Sequence, residues 1–527
     1  LHAGVRLGTG YPGTPSTEIL EAFDKLGGRA QWSPNEKVAL EVGLGAAFGG
    51  ARALVTMKHV GLNVAADPLF TAAYTDVDGG LVVVSADDPG MASSQNEQDN
   101  RHYARAAALP MLEPMDSQQA YDFTRLAFDV SERWRIPVIL RITTRVCHSK
   151  TLVRPRAPLA APHAPSFHRD IPARVMIPAY AKPAHHRLRH KLAEIAIWND
   201  GEGPNRVFAG APGPDAGLGI VATGIAAVHA REAAPGARLL AIGLTYPLPL
   251  ETIRAFAGTC VRLLVLEEGD PILHDALLAA GIPAQGKPEM YRFGELTVPR
   301  VRRILARDET PEPVPPKGKP PELCQGCSHR GVFEVLRDLN CIVAGDIGCY
   351  TLGVLPPFSA MDTCVCMGAS IGVGLGLRHV LPEAEARRVV SVIGDSTFVH
   401  SGITGLAEMV YNPPATGHVV LILDNGTTAM TGQQEHPGTG RTLSHDPTGK
   451  ISFEGLARAL GVQNVHVVNF GDDEGTLETL LRDLLARPET SLVVARQPCV
   501  LAAPKIRFYE KAAAERLHAC PAAVVDD

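Results

Sequence analysis

Between Val389 and Thr428 two apolar runs each end in a turn rich in oxygen ligands. Val389 to Ile393 stops at Gly394-Asp395-Ser396, and Val419 to Leu423 stops at Asp424-Asn425-Gly426-Thr427. Short apolar runs that end abruptly read as buried parallel strands, with His400 to Tyr411 as the crossover between them. A carboxylate at such a strand end lies at the carboxyl edge of the sheet, where open α/β folds bind ligands. Asp395 and Asn425, with the Thr427 carbonyl as a third oxygen, could converge on one hard cation and through it on a diphosphate. The alternative is an ordinary βαβ unit whose Asp and Asn cap turns.

The spacing from the Gly-Asp turn to Asn, 30 residues from Asp395 to Asn425, matches the thiamine-diphosphate motif. Thiamine chemistry also needs a carboxyl group on the pyrimidine ring, best partly buried, to drive the ring to its imino form. Glu36 and Glu41, in Asn35-Glu36-Lys37-Val38-Ala39-Leu40-Glu41 ahead of the small-residue stretch Gly43–Gly49, are candidates; a surface Glu is the alternative. Thr9-Gly10-Tyr11-Pro12-Gly13-Thr14-Pro15-Ser16-Thr17-Glu18 reads as a strand-end loop followed by a capped helix start. Its amides and hydroxyls suit an anionic substrate such as a carboxylate. The polar loop Ser93–Arg101 is followed by Arg105, and a guanidinium suits a 2-oxo acid carboxylate; the loop could equally be a solvated surface.

Six of the ten cysteines crowd into residues 324–366, too uneven for a secreted disulfide framework and a metal or redox clue. Cys324 and Cys327 form a C-x-x-C, Cys349 ends Gly345-Asp346-Ile347-Gly348-Cys349, and Cys499 follows the strand-like Leu492–Arg496. A C-x-x-C alone could bind zinc, act in redox chemistry or be inert. All three segments are expected at strand ends or loops of one sheet, where four thiols can converge.

These groups must be positioned by a large α/β chain. At 527 residues, a prior of roughly 150 residues per domain suggests three or four domains. Hydrophobic content of 45% and charged content of 20% leave ample core, as in a large intracellular enzyme. The net charge of −6 offers no basic face for nucleic acid, and no run of 18 apolar residues would span a membrane. The chain opens at Leu1 in a helix-like pattern (Leu1, Val5, Leu7) without Met or a secretory signal, so its natural start is expected upstream.

Residues 1–150 alternate strand-like runs (Ala53–Met57, Gly80–Ser85, Ile136–Arg141) with helical patterns (Ser16–Lys25, Lys37–Gly49, Ser117–Arg133), the rhythm of a covered parallel sheet. Residues 151–212, rich in Pro, His and Arg, read as an irregular connection with one helical stretch near His186–Trp198. A second α/β unit spans 213–307, with strands at Gly219–Ala222, Arg238–Ile242 and Leu263–Glu267; its Gly217-Leu218-Gly219 is a weak nucleotide signal. A Pro-rich linker covers 308–322, a third α/β domain 323–500, and a short tail 501–527.

The chain resembles the large (alpha) subunits of the thiamine-diphosphate-dependent 2-oxoacid:ferredoxin oxidoreductases, of the indolepyruvate:ferredoxin oxidoreductase type. The resemblance rests on TGYPGTPSTEI (9–19), NEKVALE (35–41), MKHVGLNVA (57–65), SSQNEQDNR (93–101) and EEGDP (267–271). It continues through CQGCSHRGVF (324–333), GDIGCYTLG (345–353), CMGASIG (366–372), GDSTFVHSGI (394–403) and DNGTTAMTGQQ (424–434). It implies three parallel-sheet domains in order: pyrimidine-binding, transketolase-C-like and diphosphate-binding. It implies Glu36 as the pyrimidine-activating carboxylate, Thr14 beside the substrate, and Arg105, with Arg101 as fallback, as the carboxylate-binding cation. Gly394, Asp395, Ser396, Asn425 and Thr427 would hold Mg2+ and thiamine diphosphate, and Met367 would wedge between the thiamine rings.

The resemblance further implies a [4Fe–4S] cluster on Cys324, Cys327, Cys349 and Cys499, with Cys364, Cys366 and Cys520 outside the ligand set. The implied reaction converts an aryl 2-oxo acid and coenzyme A to acyl-CoA and passes electrons to ferredoxin. Expected partners are a smaller beta subunit and a second copy of this chain, in a cytoplasmic heterotetramer. Cys520-Pro521-Ala522 looks like the last ligand of a degraded cluster motif, and the family's ferredoxin-like tail either lies beyond Asp527 or has been lost. The alternative is a thiamine-dependent decarboxylase or carboligase without electron transfer.

Overall fold

The computed structural model describes residues 1–159, 164–313, 318–469 and 474–519. The chain is α/β, with three sheets dominated by parallel pairs, and divides into two compact units, Leu1–Val314 and Pro315–Asp527.

The first unit begins with β1 (Leu7–Gly10), β2 (Ala30–Trp32), β3 (Ala53–Lys58), β4 (Leu81–Asp87), β5 (Met111–Leu112) and β6 (Val138–Thr143). They pair in parallel in the order β5-β6-β4-β3-β1-β2. Every residue of β3, β4 and β6 is buried, which is why their apolar runs are continuous rather than alternating. Helices Thr17–Lys25, Glu36–Phe48 and Ser117–Trp134 form where the sequence pattern placed them. The expected helix over Leu1, Val5 and Leu7 does not form. Gly4 adopts φ +70°, which breaks a right-handed helix, and Leu7 enters β1 instead.

The segment read as an irregular connection carries the helix Pro178–Gly201. Leu188, Leu192 and Ile195, spaced on one helical face, are buried in the core of the first sheet, and Lys191 reaches Asp76 at 2.6 Å. The basic residues on the other faces had hidden that stripe.

The second sheet comprises β7 (Arg206–Phe208), β8 (Leu218–Thr223), β9 (Arg238–Ile242) and β11 (Arg262–Leu266), in the order β11-β8-β9-β7. Only the edge strand β7 is antiparallel. The intervening β10 (Leu244–Tyr246) leaves this sheet and pairs with β5, extending the first sheet to seven strands. Gly219 of the Gly217-Leu218-Gly219 signal lies inside β8, where an added Cβ would sit 2.3 Å from Cys260 Sγ. Close packing accounts for that glycine.

The second unit holds β12 (Ile342–Gly345), β13 (Thr363–Cys364), β14 (Val389–Gly394), β15 (His418–Asp424), β16 (Asn464–Asn469) and β17 (Thr490–Arg496). All pairs are parallel, in the order β13-β12-β14-β15-β17-β16. Register pairs Gly394 with Leu423, so Asp395 and Asn425 leave the sheet from neighbouring strand ends. The helix Ala503–Ala519 follows the sheet. Cys520 and part of the Pro-rich linker, 314–317, lie outside the described residues. Among the described residues no helix is long and apolar enough to cross a membrane.

Candidate active site

The turns after β14 and β15 interlock. The Asp395 carboxylate accepts the Ser396 and Gly426 amides, each at 2.8 Å, and lies 3.3 Å from His436 Nε2. Burial raises its pKa, but His436 and the two amides more than offset this, and the group titrates below the usual range. Asn425 Oδ1 accepts the Thr427 amide at 3.1 Å, and the Thr428 hydroxyl donates to Ser396 Oγ at 2.8 Å. Gly394 admits no side chain, since a Cβ would lie 2.6 Å from the Tyr350 ring, and Gly426 at φ +73° lets its amide turn onto Asp395. Both carboxylate and amide therefore cap turns, as the plainer alternative required. They also stand together, buried, at the ligand-binding edge of the sheet.

Beside this cradle lies a cavity of about 180 Å³ lined by Cys324, Cys327, Cys349 and Cys499, with His329 and Asn425. The Cys499 amide donates to the Asn425 carbonyl at 2.9 Å, so the last cysteine is fastened to the turn after β15 by the main chain. Burial raises the Cys349 thiol to about 11, and neighbouring Cys499, Cys327 and Cys324 push it the same way. His329 bridges the two places: it is buried, its Nε2 lies 3.4 Å from Asn425 Nδ2, and burial lowers its pKa to about 4. No three His, Cys, Asp or Glu side chains among the described residues stand close enough to hold a single metal ion. Cys364 and Cys366 are exposed and do not line the cavity.

Met367 is half-buried in the turn before the helix Ala369–Val380. That turn is pinned by the buried Asp346, whose carboxylate accepts the Gly368 amide at 2.9 Å and the Ser370 amide at 3.0 Å. The sequence marked Asp346 only as the neighbour of a cysteine; its acceptor role depends on a chain reversal that spacing does not reveal.

In the first unit, Glu36 and Glu41 separate clearly. Glu36 is 5% exposed at the first turn of its helix, capped by Asn35, and its side chain fills the space beside Gly61. Glu41 faces outward and pairs with Lys37. Thr14 sits in the turn after β1, where the Gly13 amide donates to Thr17 Oγ1 at 2.9 Å. Ser16, expected to cap the following helix, instead donates its hydroxyl back to the Gly13 carbonyl at 2.7 Å.

Arg105 is exposed in the last turn of the helix Arg101–Ala107. Arg101 is buried and engaged by Asp99, Glu267 and the carbonyls of Glu268 and Asp270. Arg141 joins the same cluster through Asp87 and Glu113, each at 2.7 Å. The 93–101 and 267–271 blocks thus meet in a buried ion network that ties the first sheet to the loop after β11. A single sequence does not show such a pairing, because its halves lie more than a hundred residues apart.

Residues 1–178 match the family model "Pyruvate flavodoxin/ferredoxin oxidoreductase, thiamine diP-bdg". Residues 346–495 match "Thiamine pyrophosphate enzyme, C-terminal TPP binding domain". With the cradle and the parallel sheets, these matches define a thiamine-diphosphate-dependent 2-oxoacid:ferredoxin oxidoreductase. The indolepyruvate oxidoreductase subunit IorA of Methanothermobacter thermautotrophicus is 41% identical over 545 residues, covering 96% of this chain and 86% of the relative. The Archaeoglobus fulgidus subunit of that name is 38% identical over 539 residues, covering 95% and 84%. A 2-oxoglutarate synthase subunit KorA of Methanocaldococcus jannaschii is 31% identical over 163 residues, covering 29% and 44%. The chain belongs to the IorA family of indolepyruvate oxidoreductase subunits.

Proposed function

We propose that this chain carries out oxidative decarboxylation of aryl 2-oxo acids of the indolepyruvate type to acyl-coenzyme A, with electrons leaving through a [4Fe–4S] cluster to ferredoxin. The observation that carries this is the cavity shared by Cys324, Cys327, Cys349 and Cys499, fastened to the diphosphate turn by the Cys499–Asn425 bond. A non-redox decarboxylase has no use for four thiols at that place. The aryl preference is supported by the name of the IorA relatives.

Asp395, Asn425 and the Thr427 carbonyl would hold Mg2+, with Gly394 and Ser396 against the diphosphate. The residues fit the group: a buried anionic oxygen and an amide oxygen leave neighbouring strand ends. Thiamine diphosphate, when bound, would supply a nucleophilic carbon and an electron sink for the bond pair left behind when CO2 departs. Glu36 would exchange a proton with the pyrimidine ring, its burial favouring a close hydrogen bond to that ring. Met367 would brace the rings in a bent form, held by Asp346. Thr14 would hydrogen-bond the substrate. The four thiols would bind the cluster as thiolates, and its iron would offset the mutual repulsion that now helps keep Cys349 protonated.

The partners in this proposal are a smaller beta subunit, ferredoxin and coenzyme A, in a cytoplasmic assembly built on a homodimer of this chain. Anaerobic assay of the protein, with and without the smaller subunit and coenzyme A, is the test. Viologen reduction dependent on a 2-oxo acid is expected. Release of CO2 with aldehyde or acyloin, and no dye reduction, would replace the proposal with a non-redox enzyme.

A further inference from the structure

Lys58 ends β3 at the carboxyl edge of the first sheet, a buried cation that the chemistry above does not use. Its side chain is 10% exposed. Its stem packs against Gly13, the residue before Thr14: a Cβ added to Gly13 would lie 2.9 Å from Lys58 Cβ. Glycine there lets the lysine approach the substrate turn.

The ammonium group donates to the Ser93 carbonyl at 2.7 Å and lies 3.3 Å from Ser93 Oγ. An ammonium carries three donors, so these contacts leave one to direct elsewhere. Asp88 stands 4.0 Å away, beyond hydrogen-bond reach, and its oxygens already accept the Ser93 amide and the Ser94 and Thr144 hydroxyls. Burial lowers the Lys58 pKa, and Asp88 only partly offsets this. A buried cation without a contacting anion is costly, and a carboxylate ligand would relieve that cost.

A second polar group next to it is also under-used. His59 is fully buried, its Nε2 lies 3.1 Å from Asn96 Oδ1, and its Nδ1 has no hydrogen-bond partner among the described residues. Of the two arginines read from the sequence, Arg105 is exposed and Arg101 is engaged by acidic groups. Lys58 is the one of the three that is both buried and in contact with the turn bearing Thr14.

We propose that Lys58 receives the carboxylate of the substrate beside Thr14, so that the site selects a 2-oxo acid over its neutral analogues. This rests on the 2-oxo acid reaction proposed above. If Lys58 only braces the Ser93 loop, its loss must weaken all ligands alike. If it pairs with the carboxylate, its loss must weaken charged ligands far more than neutral ones.

The test uses the 2-deoxy carboxylate of the 2-oxo acid turned over fastest (3-indolylpropanoate for indolepyruvate) and the matching amide. Binding of each is measured by calorimetry on the thiamine-loaded complex. Thiamine-diphosphate affinity is measured separately. The parent protein is expected to prefer the carboxylate. Lys58→Met is expected to lose roughly 10- to 100-fold in carboxylate affinity, the worth of one charge-assisted hydrogen bond, with a much smaller loss for the amide and cofactor affinity unchanged. Lys58→Gln, which keeps a donor for Ser93 but no charge, should show the same selective loss. Retained preference in either variant, equal loss of both ligands, or no preference in the parent would overturn the assignment. A parent protein that fails to bind thiamine diphosphate would overturn the proposed reaction itself, which is a separate readout.

Discussion

Replacing Gly61 with Ala probes the seat of Glu36 without touching its carboxyl group. A Cβ at position 61 would lie 2.6 Å from Glu36 Cγ, 2.8 Å from Glu36 Oε1 and 2.9 Å from Met57 Cβ. Met57 is a fully buried residue of β3 and cannot retreat, whereas the Glu36 side chain can. Gly61 is the first residue of the short helix Gly61–Val64, and overpacking costs about 1–3 kcal/mol. Stability should therefore fall by no more than about 3 kcal/mol. Catalysis should respond far more. Restoring ordinary contact, about 3.5–4.0 Å between carbons, moves Glu36 by roughly 1 Å, and a misplacement of that size costs about 100-fold in rate. The assay is anaerobic dye reduction at saturating thiamine diphosphate, paired with deuterium exchange at the thiazolium carbon of the bound cofactor. Glu36→Gln sets the benchmark, keeping the cofactor but losing most activity; Glu41→Gln, exposed and paired with Lys37, should resemble the parent. A Gly61→Ala protein that exchanges and turns over as fast as the parent would refute the role of Glu36.

Two other perturbations probe separate regions. Asp395→Ala should abolish thiamine-diphosphate binding in calorimetry with Mg2+, because a hard anionic ligand is lost; parent-like affinity would misplace the site. Glu268 is buried in the junction after β11, and burial raises its pKa from 4.5 to about 7, against the Leu296 amide that favours its ionised form. The folded state then holds a proton that the unfolded chain has released. Stability should fall as pH climbs from about 4.5 towards 7 and level off beyond it. Thermal midpoints across that range should show the slope in the parent and a weaker one in Glu268→Gln.

Continuous apolar runs and turn residues made β3, β4, β6, β14 and β15 readable, because strands buried on both faces leave little ambiguity. Gly394-Asp395 and Asn425-Gly426 were readable as one cradle because parallel pairing puts consecutive strand ends side by side. The helix Pro178–Gly201 was read only in part, since its buried stripe is diluted by His, Arg and Lys on its other faces. The departure of β10 into the first sheet was not readable, because three residues carry no partner preference. Arg101 looked like a ligand-binding guanidinium until Glu267 and the carbonyls of Glu268 and Asp270 closed around it. Lys58 lay in a quoted motif, but only burial against Gly13 sets it apart from an ordinary strand-end lysine.

The most direct test is the metal content and redox response of the anaerobically purified protein with its smaller subunit. About four irons per chain are expected, with thiamine diphosphate bound and visible iron–sulfur absorbance that bleaches on addition of a 2-oxo acid. Cys499→Ser should lose the iron while keeping the thiamine diphosphate. A thiamine-replete parent protein that contains no iron, yet releases CO2 from 2-oxo acids, would contradict the electron-transfer role of this chain.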